Sequence, residues 1–170
     1  MDKVTIKLEV DRADLRSLYQ AFRDLDEETN KVLKTEVQQL SSYVAREIQS
    51  AASSAPNPQQ AMLIAQSVRA NKDRIPNITI GGSRIARVAR KQSAANPRPR
   101  MGQLVFGSEF GTKSTGVGMF KQGGRKFPYW SGTYHGGGRG YWIFPTLRRL
   151  QPKITHDYHA IIDRYIRRIW

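Results

Sequence analysis

Glycine is confined to one part of this chain, and that distribution limits what the chain can fold into. Of its 14 glycines, 12 lie between Gly102 and Gly140, and the other two are Gly81 and Gly82. Glycine inside a helix or strand is destabilising, whereas turns and close backbone approaches favour it. Regular helices are therefore expected before residue 81 and after residue 140, with an interrupted, loop-rich structure between them.

Before the glycines, the spacing of apolar residues predicts a strand followed by helices. Alternation over residues 4–10 is typical of a half-buried strand, and Asp11 is expected to cap a helix over residues 12–25. A longer helix is predicted from about Glu27 to Ala52. Its apolar stripe repeats every three or four residues and consists of Leu33, Val37, Leu40, Val44 and Ile48.

Prolines and short apolar runs predict the elements of the middle of the chain. Pro56 ends the long helix, and Asn57 with Pro58 begins a short third helix. Short strands are predicted at residues 75–80 and 104–106, and another strand or an exposed ribbon is predicted at residues 85–88. No regular period is found over residues 113–140, which are expected to form a long basic loop rich in glycine.

After the glycines, the chain returns to an apolar pattern. Residues 141–144 are predicted to form a strand or an apolar anchor, and a C-terminal helix is expected from about Pro145 or Pro152 to Trp170. The stripe of that helix consists of Ile154, Tyr158, Ile161, Ile162, Tyr165 and Ile169. The predicted fold is a single α+β domain over residues 1–170. Its long helices pack on a central, mostly antiparallel sheet, and residues 113–140 extend from it as an arm.

Charge is distributed as unevenly as glycine. Residues 1–60 carry 8 basic and 10 acidic side chains, whereas residues 61–170 carry 20 basic and 4 acidic ones, for a net charge of +14. Such an imbalance bears on partners rather than on the fold. The chain has no cysteine, so a disulfide framework, a thiol nucleophile and a cysteine-ligated metal are excluded. A membrane span is not expected, because no apolar run is long enough. A signal peptide is not expected either, because residues 1–7 are polar and alternating.

The residue types do not favour catalysis. His156 and His159 lie one helical turn apart near two aspartates, which could form a site for a divalent metal. The favoured interpretation is that these are polar residues on the exposed face of an amphipathic helix. Glu109 is the only carboxylate among the glycines, and it is expected to pair with an arginine or to accept backbone N–H bonds. The Gly-Gly pairs at 81–82 and 123–124 lack a Walker pattern and are interpreted as turns. We expect no enzymatic activity, no cofactor and no metal.

Clusters of basic residues interleaved with aromatic ones are the remaining indication of function. Such clusters are typical of surfaces that bind either nucleic acid or an acidic protein, and composition leaves both open. The predicted partner interface consists of Arg84, Arg87, Arg90, Arg98, Arg100, Phe120, Lys121, Arg125, Lys126, Phe127, Tyr129, Trp130 and Tyr134.

Three short motifs resemble the small neck and tail-completion proteins of long-tailed bacteriophages. They are Leu-Ser-Ser-Tyr-Val at 40–44, Val-Phe-Gly-Ser-Glu-Phe-Gly-Thr at 105–112 and Tyr-Trp-Ile-Phe-Pro-Thr-Leu at 141–147. The residues that carry the resemblance in the second and third motifs are Glu109, Phe110, Gly111, Thr112, Trp142, Phe144 and Pro145.

The resemblance implies a structural virion protein at the head–tail junction, assembled in the host cytoplasm. It implies a homo-oligomeric ring whose partners are the connector or stopper, the tail terminator and the tail tube, with weak DNA contact in the lumen and no membrane. In that setting the basic, aromatic arm would bind a neighbouring subunit. The alternative from the residues themselves is a small nucleic-acid-binding protein without sequence preference.

Overall fold

The computed structural model describes residues 26–86, 100–111, 118–122, 125–129 and 139–169. In these ranges the protein is mostly helical. The helices are α1 (Glu27–Ala51), α2 (Pro58–Ala65), α3 (Met101–Phe110) and α4 (Ile143–Ile169), with a 3-10 turn at Ala52–Ser54. The strands are β1 (Arg69–Ala70), β2 (Ile78–Thr79), β3 (Gly118–Gln122) and β4 (Arg125–Tyr129). The predicted strand at 4–10 and helix at 12–25 lie outside the described residues.

The sequence predicts α1 almost to the residue. Asp26 caps its start, since its carboxylate accepts hydrogen bonds from the backbone N–H of Thr29 at 2.7 Å and from the Thr29 hydroxyl at 2.9 Å. These bonds lower the pKa of Asp26. All five residues of the predicted stripe are buried. The Asn57 side chain caps α2 by accepting a hydrogen bond from the backbone N–H of Gln60, and Pro58 follows in the first turn, as predicted.

Helix α4 begins earlier than the sequence predicts. It starts at Ile143 and continues through Pro152, so neither Pro145 nor Pro152 marks its beginning. Proline is tolerated in a first helical turn, and Pro152 lies at an exposed position of the helix. The predicted stripe is confirmed where the side chains are described, because Ile154, Tyr158, Ile161, Ile162 and Tyr165 are all buried.

The main contact of the fold is between α1 and α4. The two helices run in opposite directions, since Glu47 pairs with Arg149 at 2.8 Å and Glu36 pairs with Arg164 at 2.9 Å. The loop over residues 71–77 contacts both helices. Its backbone contacts Ser41 of α1 at 3.1 Å and accepts a hydrogen bond from the Tyr158 hydroxyl of α4 at 3.0 Å.

The predicted strand at 104–106 is wrong, because these residues belong to helix α3. The buried residues Met101, Leu104, Val105 and Ser108 recur at helical spacing. Leu104-Val105-Phe106 on its own is too short an apolar run to distinguish a strand from a buried helix.

The described strands do not form one central sheet. They form two separate antiparallel pairs, β1 with β2 and β3 with β4, while the helices of the described ranges pack largely on one another. The predicted strand at 75–80 is reduced to the two residues of β2, and Ile85 makes a single antiparallel bridge to Arg100.

Part of the predicted arm has a regular structure. Strands β3 and β4 pair over five residues each and are separated by two residues, so they form a hairpin where an aperiodic loop was expected. Strand β4 also lies beside α3 of the same chain. This half of the arm therefore contacts its own domain.

Candidate functional site

Glu109 and the start of α4 form the most unusual polar contact among the described residues. The Glu109 carboxylate is only 1% exposed and accepts three backbone hydrogen bonds. Its Oε2 atom lies 3.2 Å from the N–H nitrogen of Trp142 and 2.8 Å from that of Ile143, and its Oε1 atom lies 2.8 Å from that of Phe144. A residue near the end of α3 therefore caps a helix that begins more than 30 residues later.

This cap accounts for the N–H groups of the first turn of α4. The first four N–H groups of any helix have no acceptor within the helix. Glu109 accepts from Ile143 and Phe144, Pro145 has no N–H to satisfy, and Thr146 donates to the carbonyl of Trp142 at 3.4 Å. The proline of the third motif thus lies where a missing donor costs nothing.

Two opposing effects act on the charge of Glu109. Burial raises the pKa of this carboxyl, and the backbone N–H groups of residues 141–144 oppose the increase. Burial is the larger effect, so the pKa of Glu109 lies above its ordinary value of 4.5.

Glycines end α3 and precede α4, and one of them leaves room for the Glu109 carboxylate. Gly140 has a φ of +62°, and a Cβ atom at this position would lie 1.8 Å from Glu109 Oε1. Gly111 ends α3 with a φ of +65° and donates its N–H to the carbonyl of Gly107. The chain leaves α3 and enters α4 through left-handed turns that glycine adopts without strain.

Side chains on either side of Glu109 strengthen the same contact. The Trp142 ring N–H donates to the Ser108 hydroxyl at 3.2 Å, and both residues are buried. The Phe110 ring lies 5.1 Å from that of Phe106 and 5.5 Å from that of Phe144, between ring centroids. These contacts hold the end of α3 against the beginning of α4.

The geometry of Glu109 is that of a structural cap. The carboxylate is enclosed and uses both oxygens on backbone donors, so it has no access to a substrate. The prediction that Glu109 accepts backbone N–H bonds is confirmed, although the residue lies in a helix and not in a loop. We refer to Glu109, Gly140 and the residues 142–144 as the Glu109 clamp.

The N-terminal end of α3 is closed by backbone hydrogen bonds to residues 82–84, and the Gln103 side chain also accepts a hydrogen bond from the backbone N–H of Arg100 at 2.8 Å. Met101 donates its N–H to the carbonyl of Arg84 at 2.8 Å, and Gly102 donates to the carbonyl of Gly82 at 3.0 Å. A Cβ atom on Gly81 would lie 2.7 Å from the Cα atom of Gly102. The interpretation of Gly81-Gly82 as a turn is therefore confirmed, with close backbone packing as an added reason for glycine.

The structure separates the predicted interface residues into three groups. Arg84 and Arg100 are exposed at the closed end of α3. Phe120 and Lys121 lie on β3, whereas Arg125, Lys126, Phe127 and Tyr129 lie on β4. Outside the described residues are Arg87, Arg90, Arg98, Trp130 and Tyr134, and Thr112 of the second motif lies there too.

His156 and His159, the two histidines that the structure describes, form no metal site with the other described residues. In the described ranges, no group of three His, Cys, Asp or Glu side chains is placed to hold a metal ion. His156 is exposed and contacts Asp157, whose carboxylate pairs with Lys153 at 2.7 Å. This pairing lowers the pKa of Asp157 and raises that of Lys153. None of the helices described here has the length and apolar character needed to cross a bilayer.

Comparisons with protein families, with curated proteins and with solved structures found no match to this chain.

Proposed function

We propose that this protein is a structural virion protein of the head–tail junction of a long-tailed bacteriophage. In this proposal it is a subunit of a homo-oligomeric ring, assembled in the host cytoplasm, that joins the connector or stopper to the tail terminator and tube. The Glu109 clamp is the observation that carries the proposal. The second and third motifs of the resemblance, which lie about 30 residues apart in the sequence, are the two halves of this one contact.

A chance match of two short motifs gives no reason for them to meet in space. Here Glu109 of one motif caps the helix that the other begins, and Phe110 of one contacts Phe144 of the other. Gly111 and Pro145 each have a role in the backbone of the same contact. The motifs thus behave as one structural unit, which supports the family resemblance without depending on the length of either motif.

The proposed contact with a neighbouring subunit is the arm at residues 113–140. The register of its hairpin places Lys121 opposite Lys126 and Gln122 opposite Arg125. Like charges at opposed positions of an antiparallel pair destabilise it by a few tenths of a kcal/mol to about 1 kcal/mol. An acidic surface on a neighbouring virion protein would remove this penalty, so the hairpin favours a partner of opposite charge.

The direct test removes the gene for this chain from the phage genome that carries it. Particles are then counted by negative-stain electron microscopy. The expected result is an accumulation of filled heads and separate tails, because neither half of the particle can join. Complementation with the intact gene should restore joined particles. A normal yield of infectious particles without the chain would contradict the proposal.

The arm is tested by charge reversal in the purified protein and in the same complementation. The variant carries Arg125→Glu and Lys126→Glu, and its matched control carries Lys31→Glu and Arg46→Glu on exposed positions of α1. We expect the arm variant to keep its melting temperature and lose head–tail joining, while the control supports joining. A melted arm variant would assign β4 to the fold of the monomer, since β4 lies beside α3.

A further inference from the structure

One edge of the hairpin has no strand beside it in the described ranges. Strands β3 and β4 pair with each other, and no third described strand belongs to their sheet. Strand β4 also lies beside α3, whereas the main contact of β3 is with β4. The edge of β3 that faces away from β4 is therefore a place where this sheet can be extended.

Pro128 determines which backbone groups lie at that edge. In an antiparallel pair, opposed residues alternate between pairs that exchange two hydrogen bonds and pairs that exchange none. Pro128 has no N–H and lies opposite Met119, so these two residues form a pair without hydrogen bonds. Lys121 and Lys126 form the next pair of this kind, because they lie two residues further along. The N–H and C=O groups of Met119 and Lys121 are therefore directed away from β4.

The two outer edges of the hairpin differ in what they can bind. The edge of β4 has Pro128 at one of its two outward positions, where no donor is available. Proline on an edge strand prevents a further strand from pairing there. Strand β3 contains no proline, and its edge presents two N–H donors and two C=O acceptors, from Met119 and Lys121. Such an edge is a template for a strand from another chain.

The charge of the hairpin indicates the chemistry of the added strand. Lys121 and Lys126 are directly opposed and share one face of the hairpin. A residue of an added strand that lies opposite Lys121 would extend this row of like charges, so an aspartate or glutamate is favoured there. Residues 112–140 contain five lysines and arginines and no acidic residue, so this stretch has no carboxylate of its own for that position.

We propose that the edge of β3 binds an extended acidic segment of a neighbouring protein as a third strand of the hairpin. The segment exchanges backbone hydrogen bonds with Met119 and Lys121 and places an aspartate or glutamate opposite Lys121. In this mode of recognition the main-chain hydrogen bonds provide affinity and the side chains provide specificity. A third strand also stabilises the hairpin, since two strands alone are marginally stable in water. The inference specifies how the arm makes its contact, and it rests on the proposed function for placing the neighbour in the virion.

The test measures binding of the purified full chain to a fluorescent peptide by polarisation at low salt. The peptide alternates valine with glutamate over about seven residues, an ordinary strand length. A matched peptide carries N-methyl groups on two adjacent central residues, so each of its edges loses a backbone donor while its charge is unchanged. We expect the methylated peptide to bind at least about tenfold more weakly, because it cannot complete the backbone hydrogen bonds. A peptide that alternates valine with lysine should not bind.

The edge is tested in the protein by Met119→Pro, with Met119→Ala as its matched control. The proline removes the outward N–H of β3 but no hydrogen bond between β3 and β4, as Pro128 does on the opposite strand. We expect Met119→Pro to weaken binding of the glutamate peptide by about tenfold and Met119→Ala by less than about twofold, since only the proline removes the donor. The methylated peptide leaves the protein unchanged, so the test does not depend on the hairpin surviving the proline.

Four results would overturn the proposal. They are no binding of the glutamate peptide, equal binding of the methylated peptide, equal binding of the lysine peptide, and full affinity in Met119→Pro. Equal binding of the methylated peptide would mean that charge alone attracts the segment. Head–tail joining is scored separately, so a failure of strand addition is distinguishable from a failure of the proposed virion role.

Discussion

The two ends of helix α3 are closed by different means. At its start, backbone meets backbone, and glycines at 81 and 102 allow the two segments to approach. At its end, a buried carboxylate reaches three N–H groups of α4. The close approach at the first closure depends on the absence of side chains at Gly81 and Gly102, whereas the second closure depends on the presence of one side chain. Substitutions should therefore act on the two ends through different physical effects.

The largest effect is expected from Glu109→Ala. This change leaves the N–H groups of Trp142, Ile143 and Phe144 buried without their acceptor, and each such loss costs on the order of 1–3 kcal/mol. We expect the free energy of unfolding to fall by about 4 kcal/mol in urea titrations. Glu109→Gln keeps one acceptor oxygen and should lose less than half of that. A loss below about 1 kcal/mol for Glu109→Ala would show that water replaces the carboxylate.

Gly140→Ala is expected to destabilise the same contact between Glu109 and the start of α4. The new Cβ atom would overlap Glu109 Oε1, and the φ of +62° would add the strain of a left-handed residue. We expect a loss of about 3 kcal/mol, measured in the same way. Combined with Glu109→Ala, the substitution should cost less than the sum, because the overlap disappears with the carboxylate. Additive losses would mean that the two residues do not interact.

The backbone closure is tested by two neighbouring glycines. Gly81 and Gly82 have φ values of +85° and +96°, but only at Gly81 would a Cβ atom meet backbone, 2.7 Å from the Cα atom of Gly102. Gly82→Ala should cost about 1 kcal/mol from strain alone, and Gly81→Ala about 2 kcal/mol or more. Equal losses would show that the approach of the two segments relaxes freely.

The same contrast explains what the sequence could and could not predict. The stripes of α1 and α4, the Asn57 cap and the turn at Gly81-Gly82 follow from spacing and residue type within one segment. For Glu109 the sequence left two possibilities open, an arginine partner or backbone N–H donors, and the structure shows the second. Which donors it binds could not be predicted, because the cap and its helix are separated by a long stretch of chain.

Helix α3 was mistaken for a strand for a related reason. Its glycines and its short apolar run suppress a helical signal, and the helix is stabilised by burial on several sides. Met101, Leu104, Val105 and Ser108 do recur at helical spacing, and a longer window would have detected it. The hairpin of β3 and β4 could have been predicted from local sequence, because a Gly-Gly pair lies between two runs of basic and aromatic residues.

The smallest expected effect is a pH dependence of the free energy of unfolding that arises from Glu109, at the C-terminal end of α3. Burial raises the pKa of Glu109, so the folded protein holds this proton at pH values where the unfolded chain has released it. The contribution to stability is then fully present below 4.5, the ordinary value, and is lost as pH rises through the folded pKa. The effect is small because the backbone N–H groups and the start of α4 favour the ionised form and oppose burial.

The pH dependence of Glu109 must be measured against Glu109→Gln, because Asp26 and Asp157, whose pKa values are lowered, contribute in the opposite direction. The stability difference between the natural chain and this variant should shrink as the pH is raised above 4.5, the ordinary pKa of the carboxyl. Gly81→Ala should instead shift the natural profile by a constant amount, since it acts at the other end of α3. A difference that grows with pH would mean that the hydrogen bonds outweigh burial and that the clamp is closed by a charge.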